Sequence, residues 1–99
     1  MTINKKTNGS TLTISVEGRL DTITAPELEA VIKDSVSDIT DLVLDLNELE
    51  YISSAGLRVL LAGQRLMNAK KGTMTVTNCS ENITEIFEIT GFADILTIK

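Results

Sequence analysis

The sequence contains no histidine and no tryptophan, and Cys79 is the single cysteine among its 99 residues. Acid–base catalysis near neutral pH most often uses histidine, and the usual metal sites use histidine or clustered cysteines. One thiol also excludes an internal disulfide. Because the commonest tools of an enzyme are missing, we predict a protein that is not an enzyme and that holds no metal and no cofactor.

Aromatic side chains and long apolar runs are scarce as well. Tyr51, Phe87 and Phe92 are the only aromatic residues, so the core must consist mainly of leucine, isoleucine, valine and alanine. The apolar run at Leu57–Ala62 is interrupted by an arginine and is far too short to span a membrane. The first ten residues are polar and show no signal peptide pattern. We expect one cytoplasmic domain that covers residues 1–99.

The chain also lacks an excess of positive charge, since 9 basic residues face 14 acidic ones and the net charge is −5. Nucleic-acid binding needs a basic face, and an anionic membrane surface attracts polybasic segments. No polybasic segment is present. We therefore predict no direct contact with nucleic acid and no membrane as a partner.

Hydrophobic periodicity predicts an alternation of strands and helices. Leu12, Ile14 and Val16 alternate with polar residues, which is typical of a half-buried strand. The predicted order is strands at 2–6 and 12–17, a helix at 25–36, a strand at 41–46, a helix at 54–69, a strand at 74–76, a helix between Ser80 and Gly91, and an apolar tail at 95–98. The second half implies βαβ units with right-handed crossovers.

Short polar motifs mark the ends of these elements. Asn8-Gly9 is a hairpin signal, and Thr24 followed by Glu27 has the form of a capping box at the first helix. Ser80 is a candidate N-cap of the third helix, and Gly91 a candidate stop. The tail is either an edge strand or a packed segment.

The segment Asp45–Leu57 runs from a buried strand over a loop into a helix, at an edge where open α/β sheets bind ligands and partners. Ser54 is placed to be the N-cap of that helix, and capping alone is one interpretation of it. The other is phosphorylation, because a helix N-terminus stabilises an anion and a phosphate adds roughly −1.5 to −2 charges.

A helical projection of residues 54–69 adds a second indication. Arg58, Leu61 and Arg65 fall within about 40° of Ser54, and Leu57 lies near them. Two leucines beside a candidate switch serine predict an exposed apolar patch for a partner, unless they pack under a neighbouring loop. Arg58 follows Ser54 by four residues, so it is placed either to reach a phosphate or to remain solvated.

Three motifs carry a family resemblance. Asp45-Leu46 followed by Tyr51–Leu57 resembles the signature of the STAS domain, as in anti-sigma factor antagonists. Gly18–Asp21 matches the family's other marker, and Ile86–Phe92 is similar to its C-terminal helix ending. The resemblance covers nearly the whole chain in order. It implies an α/β fold with a mixed sheet of four to five strands and helices packed mainly on one side.

The resemblance also implies a function. In that family, an unphosphorylated antagonist binds an anti-sigma factor that is also a serine kinase, and so releases the sigma factor. Phosphorylation, here of Ser54, switches the antagonist off, and a PP2C-type phosphatase restores it. The residues predicted to bind the partner are Asp21, Thr22, Ser53, Gly56, Leu57, Arg58 and Leu61.

Two positions depart from the pattern of many family members. Ser53 stands where an aspartate commonly precedes the acceptor, and Ala55 stands where a hydroxyl residue often follows it. Two other functions stay open at this point. One is a non-switching STAS scaffold or subunit of a transport or signalling assembly, and the other is a small enzyme or nucleotide-binding domain. Against an enzyme or nucleotide-binding domain, the sequence contains no P-loop and no glycine-rich dinucleotide turn.

Overall fold

A computed structural model describes all residues from Met1 to Lys99. The elements in chain order are β1 (Thr2–Asn8), β2 (Thr11–Leu20), α1 (Ala25–Ser35), β3 (Asp41–Asp45), β4 (Leu49–Ile52), α2 (Ser54–Ala69), β5 (Thr73–Thr77), α3 (Glu81–Thr90) and a 3-10 turn at Phe92–Asp94. None of the helices is long and apolar enough to cross a membrane.

The five strands form one mixed sheet, which confirms the predicted fold class. The order is β1-β2-β3-β5, with β4 paired to the end of β2 beyond the part that contacts β3. β1 and β2 form the antiparallel hairpin predicted from Asn8-Gly9, with Gly9 at φ 63° in the turn. The other pairings are parallel, as the βαβ alternation requires.

The core lies on one face of the sheet. Leu12, Ile14 and Val16 of β2 are buried, while the intervening residues of the strand are half-exposed. β3 and β5 show the same alternation, and 23 buried apolar residues form a single cluster. The helices therefore cover one face and leave a polar, half-exposed face opposite, as the family resemblance implied.

β4 is an element that the periodicity did not predict, because residues 47–53 were expected to be a loop. Its two buried residues, Leu49 and Ile52, are three positions apart, so the strand shows no period-two alternation. It pairs in parallel with the end of β2 from Gly18 to Leu20, and the register shifts between Gly18 and Arg19. Gly18 adopts a φ of 95°, which favours glycine at this bulge.

The ends of the helices agree only in part with the predicted caps. α3 begins after Ser80, whose hydroxyl accepts a hydrogen bond from the N–H of Ile83, and it ends at Gly91 in the left-handed conformation. Both predictions are confirmed. The prediction of a capping box at α1 is wrong, because the hydroxyl of Thr24 accepts no N-cap hydrogen bond and instead donates to the carbonyl of Arg19 at 2.8 Å.

The C-terminal tail packs against β5 without becoming a full strand. Ile98 makes a single parallel bridge with Val76, and the N–H of Val76 donates to the carbonyl of Thr97 at 2.8 Å. Leu96 is buried in the core. The tail is therefore partly an edge strand and partly a packed segment, the two alternatives that the sequence left open.

Candidate functional site

The carboxyl ends of β2 and β4 lie side by side and lead into α1 and α2. The N–H of Ser53 donates to the carbonyl of Leu20 at 2.9 Å, so the two chain segments leave the sheet together. Asp21 and Ser53 are the first residues after the two strands. This edge of the sheet brings together most of the residues that the sequence analysis singled out.

Ser53, and not Ser54, is the N-cap of α2. Its backbone is extended, with φ −98° and ψ 177°, and its hydroxyl accepts a hydrogen bond from the N–H of Gly56 at 3.4 Å. The prediction that Ser54 is the cap is wrong, because the pairing of β4 with β2 keeps the chain extended through Ser53. Ser54 is the first helical residue, and its side chain is exposed and makes no hydrogen bond within the chain.

Gly56 holds the start of α2 close to the sheet. A Cβ at this position would lie 2.8 Å from Ile52 Cγ1, 2.8 Å from Leu20 Cγ and 3.0 Å from the Leu20 carbonyl oxygen. Gly56 is itself buried. Its visible role is to allow this close approach, and the predicted part of Gly56 in binding the partner stays a prediction.

Asp21 is fixed at the start of the loop that joins β2 to α1. One carboxylate oxygen accepts hydrogen bonds from the N–H groups of Ile23 at 3.0 Å and Thr24 at 3.1 Å. The bond from the Thr24 N–H is the largest cause that holds the pKa of Asp21 below its ordinary value of 3.8, and partial burial opposes the shift. Asp21 therefore carries a fixed negative charge at neutral pH, 29% of its side chain being exposed.

Arg19 and Tyr51 form a second pair beside Asp21, which the sequence motifs that contain them did not predict. They are register partners on β2 and β4, and the guanidinium carbon lies 4.3 Å from the centroid of the tyrosine ring. The Nε of Arg19 is 3.9 Å from an oxygen of Asp21. No local signal links positions 19 and 51, because their contact depends on the unpredicted strand β4.

Ile23 is an exposed residue beside this edge that sequence reasoning did not single out. It lies in the loop after Asp21 and is 87% exposed, the highest value among the exposed large apolar side chains. Thr22, beside it, is also exposed. No signal in the sequence could have marked it, because single exposed apolar side chains are common on protein surfaces.

The predicted apolar patch of two leucines on α2 is wrong for Leu57, which is 5% exposed and belongs to the core. Leu61 is half-buried. The helix is rotated so that its buried face is centred on Gly56, Leu60 and Met67, which turns Leu57 toward the interior. Leu57 is therefore part of the main hydrophobic core and not of an exposed patch.

The remaining predicted residues surround the exposed start of α2. Arg58 is exposed, and together with Thr22, Ala25 and Ala55 it lines a depression of about 210 Å³ between the starts of α1 and α2. Asp21, Thr22, Ser53, Ser54 and Arg58 thus lie around one edge of the molecule. The fold and this edge define a small one-sided α/β domain that presents an exposed serine at the beginning of a helix.

Comparison with known proteins identifies the family. Residues 2–99 match the model of the STAS domain, and the chain belongs to that family. The anti-sigma-B factor antagonist of Bacillus subtilis strain 168 is 27% identical over 97 residues, covering 98% of this chain and 89% of that protein. The anti-sigma-B factor antagonist of Staphylococcus aureus strain NCTC 8325 is 31% identical over 87 residues, covering 87% and 81%.

A solved structure agrees with the observed architecture. The crystal structure of an anti-sigma factor antagonist from Mycobacterium paratuberculosis superimposes with a TM-score of 0.87 at 28% identity. The alignment covers 98% of this chain and 83% of that one. The arrangement of five strands and three helices is thus shared with an antagonist of similar size.

Proposed function

We propose that this protein is a cytoplasmic anti-sigma factor antagonist whose binding state is switched by phosphorylation of Ser54. Its unphosphorylated form binds an anti-sigma factor that is a serine kinase, and so releases a sigma factor. The observation that carries the proposal is the state of Ser54, which is exposed, lies at the start of α2 and has a hydroxyl free of internal hydrogen bonds. The relatives named as anti-sigma factor antagonists support it.

The cap assignment supports Ser54 over its neighbour as the phosphate acceptor. The hydroxyl of Ser53 accepts the cap hydrogen bond of α2, and Ser53 is half-buried. A kinase that used Ser53 would have to reach a half-buried oxygen that already accepts the cap bond, whereas the hydroxyl of Ser54 is exposed and free of internal hydrogen bonds. The chain offers two adjacent serines, and the fold makes them unequal.

The helix start can hold a phosphate without unfolding. The N–H of Leu57 donates the first helical bond, to Ser53, so the N–H groups of Ser54 and Ala55 have no backbone partner. Free first-turn N–H groups and the helix dipole stabilise an anion at an exposed site by about 0.3–1 kcal/mol. We expect a stabilisation of this size for a phosphate on Ser54. Phosphorylation therefore changes the charge of the surface while the fold is retained.

The added charge acts on the proposed partner surface. The exposed or half-exposed residues of this surface are Asp21, Thr22 and Arg58, with Leu61 about two turns further along α2. A phosphate brings roughly −1.5 to −2 charges next to the fixed charge of Asp21, so a partner that fits the single charge of Asp21 meets roughly −2.5 to −3 charges after phosphorylation. A PP2C-type phosphatase would restore the binding form by removing that charge.

The test uses the anti-sigma factor kinase of the same organism with ATP and three forms of the protein. Mass spectrometry should find one phosphate on the wild type and on Ser53→Ala, located at Ser54, and none on Ser54→Ala. Ser54→Asp should bind the kinase more weakly than the wild type does. A wild type that binds the anti-sigma factor but is never phosphorylated would favour a non-switching STAS module.

A further inference from the structure

A groove runs along the surface between α1 and α2, away from the start of α2. Its far part is a depression of about 330 Å³ lined by Glu29, Lys33, Ala62, Arg65, Leu66 and Ala69. Glu29 also lines the depression beside Ser54, so the two depressions adjoin. The groove therefore extends from Ala55, the residue after the serine, for most of the length of α2.

The groove is positively charged on a protein that is negative overall. The net charge of the chain is −5, yet α2 contains no acidic residue and carries Arg58 and Arg65, both exposed. The only ion pairs within 4.0 Å join Arg19 to Asp21 and Lys33 to Glu29. Both arginines of α2 therefore lack an internal counter-charge, and carboxylates of a partner are their natural complement.

The floor of the groove suits the close approach of a helix. Ala62 and Leu66 are half-buried and Ala69 is exposed, so the surface between the charged rims is apolar and low. Arg58 and Arg65 are seven residues apart, which is about two turns and roughly 10 Å along α2. A partner helix with acidic residues at positions i and i+7 matches the spacing of the two arginines, and apolar residues between them match the apolar floor.

We propose that this groove receives an acidic amphipathic helix of the anti-sigma factor, an inference that rests on the proposed function. Ser54 lies one turn before Arg58 on the same side of α2. Side chains on a helix lean toward its N-terminus, so a phosphate on Ser54 draws Arg58 away from the partner. Phosphorylation then removes one of the two cationic anchors and also repels the acidic helix.

The decisive variant is Arg65→Glu, which lies far from Ser54 along the helix and is exposed. Lys6→Glu is the matched control, because Lys6 is exposed, pairs with Thr13 on the sheet face opposite the helices, and gives the same change of net charge. By calorimetry at low salt, Arg65→Glu should weaken binding of the anti-sigma factor about tenfold and Lys6→Glu less than about twofold. The difference should shrink in about 1 M salt, where charges are screened within roughly 3 Å.

Zero-length carbodiimide coupling identifies the occupant through Lys33, whose side chain is 58% exposed. Mass spectrometry should find Lys33 joined to a carboxylate in a helical segment of the anti-sigma factor. Coupling to a second copy of this chain, or to a non-helical segment of the partner, would overturn the inference. Equal affinity of Arg65→Glu and wild type would overturn it while leaving the proposed function intact, whereas a wild type that does not bind the anti-sigma factor removes both.

Discussion

The assignment of Ser53 as the cap of α2 leads to a stability experiment with opposite outcomes for two adjacent serines. Replacing an N-cap serine with alanine costs about 0.5–2 kcal/mol of folding free energy. The cap bond from Gly56 N–H to Ser53 Oγ is 3.4 Å long, against about 2.9–3.0 Å for a typical bond, so the lower half of that range applies. We expect Ser53→Ala to lower the free energy of unfolding by about 0.5–1 kcal/mol.

Ser54→Ala is the matched control, since it removes the same hydroxyl one position later. Its oxygen makes no internal hydrogen bond and alanine is a good helix former, so stability should change by less than about 0.5 kcal/mol. Urea titration followed by circular dichroism measures both free energies. In a thermal scan, the loss at position 53 corresponds to about 2–8 °C. If Ser54→Ala were the destabilising variant and Ser53→Ala neutral, the cap assignment and the argument for a free acceptor hydroxyl would both be refuted.

Three further predictions concern the packing and charge of the same edge. Gly56→Ala should destabilise the protein by about 1–2 kcal/mol in urea titration, because the clash of the new Cβ exceeds the gain in helix propensity. Leu57→Ala should cost about 2–4 kcal/mol and Leu61→Ala less than about 1 kcal/mol, since only the first side chain is in the core; equal losses would contradict the observed rotation of α2. Asp21 has a folded pKa below its usual 3.8, so the stability that its ionised form contributes is complete above that pH and is lost as the pH falls through the folded pKa. Urea midpoints of wild type and Asp21→Asn should therefore differ at neutral pH and converge as the pH falls below about 3.8. A difference that stays constant with pH would argue that the ionised carboxylate of Asp21 does not contribute this stability.

The sequence was sufficient for the features that depend on local chemistry. The alternation in β2, the turn at Asn8-Gly9 and the cap at Ser80 each follow from neighbouring residues, and the structure agrees with all three. β4 was missed because its buried residues, Leu49 and Ile52, lack the alternation of a half-buried strand. Its pairing with β2 is a long-range contact that no short window contains.

The orientation of α2 illustrates the same limit at the level of one side chain. An ideal projection placed Leu57 beside Ser54 on the outer face, yet Leu57 is buried. The projection fixes only the angles between residues, and the face that turns inward is decided by what the helix packs against. Here the close approach at Gly56 selects that face, since a Cβ there would meet Ile52 and Leu20.

The two serines show how this long-range pairing creates the candidate site. Ser53 and Ser54 are chemically identical, so local preference cannot choose between them as a cap. The bond from the Ser53 N–H to the Leu20 carbonyl holds Ser53 in the extended conformation that a cap needs, and it leaves the next hydroxyl unbonded. Aspartate, which the family resemblance implies at this position in many members, is an equally good N-cap, so Ser53 can preserve the structural role while removing one negative charge beside the proposed acceptor. The strand that sequence periodicity missed is therefore what makes Ser54 the available serine.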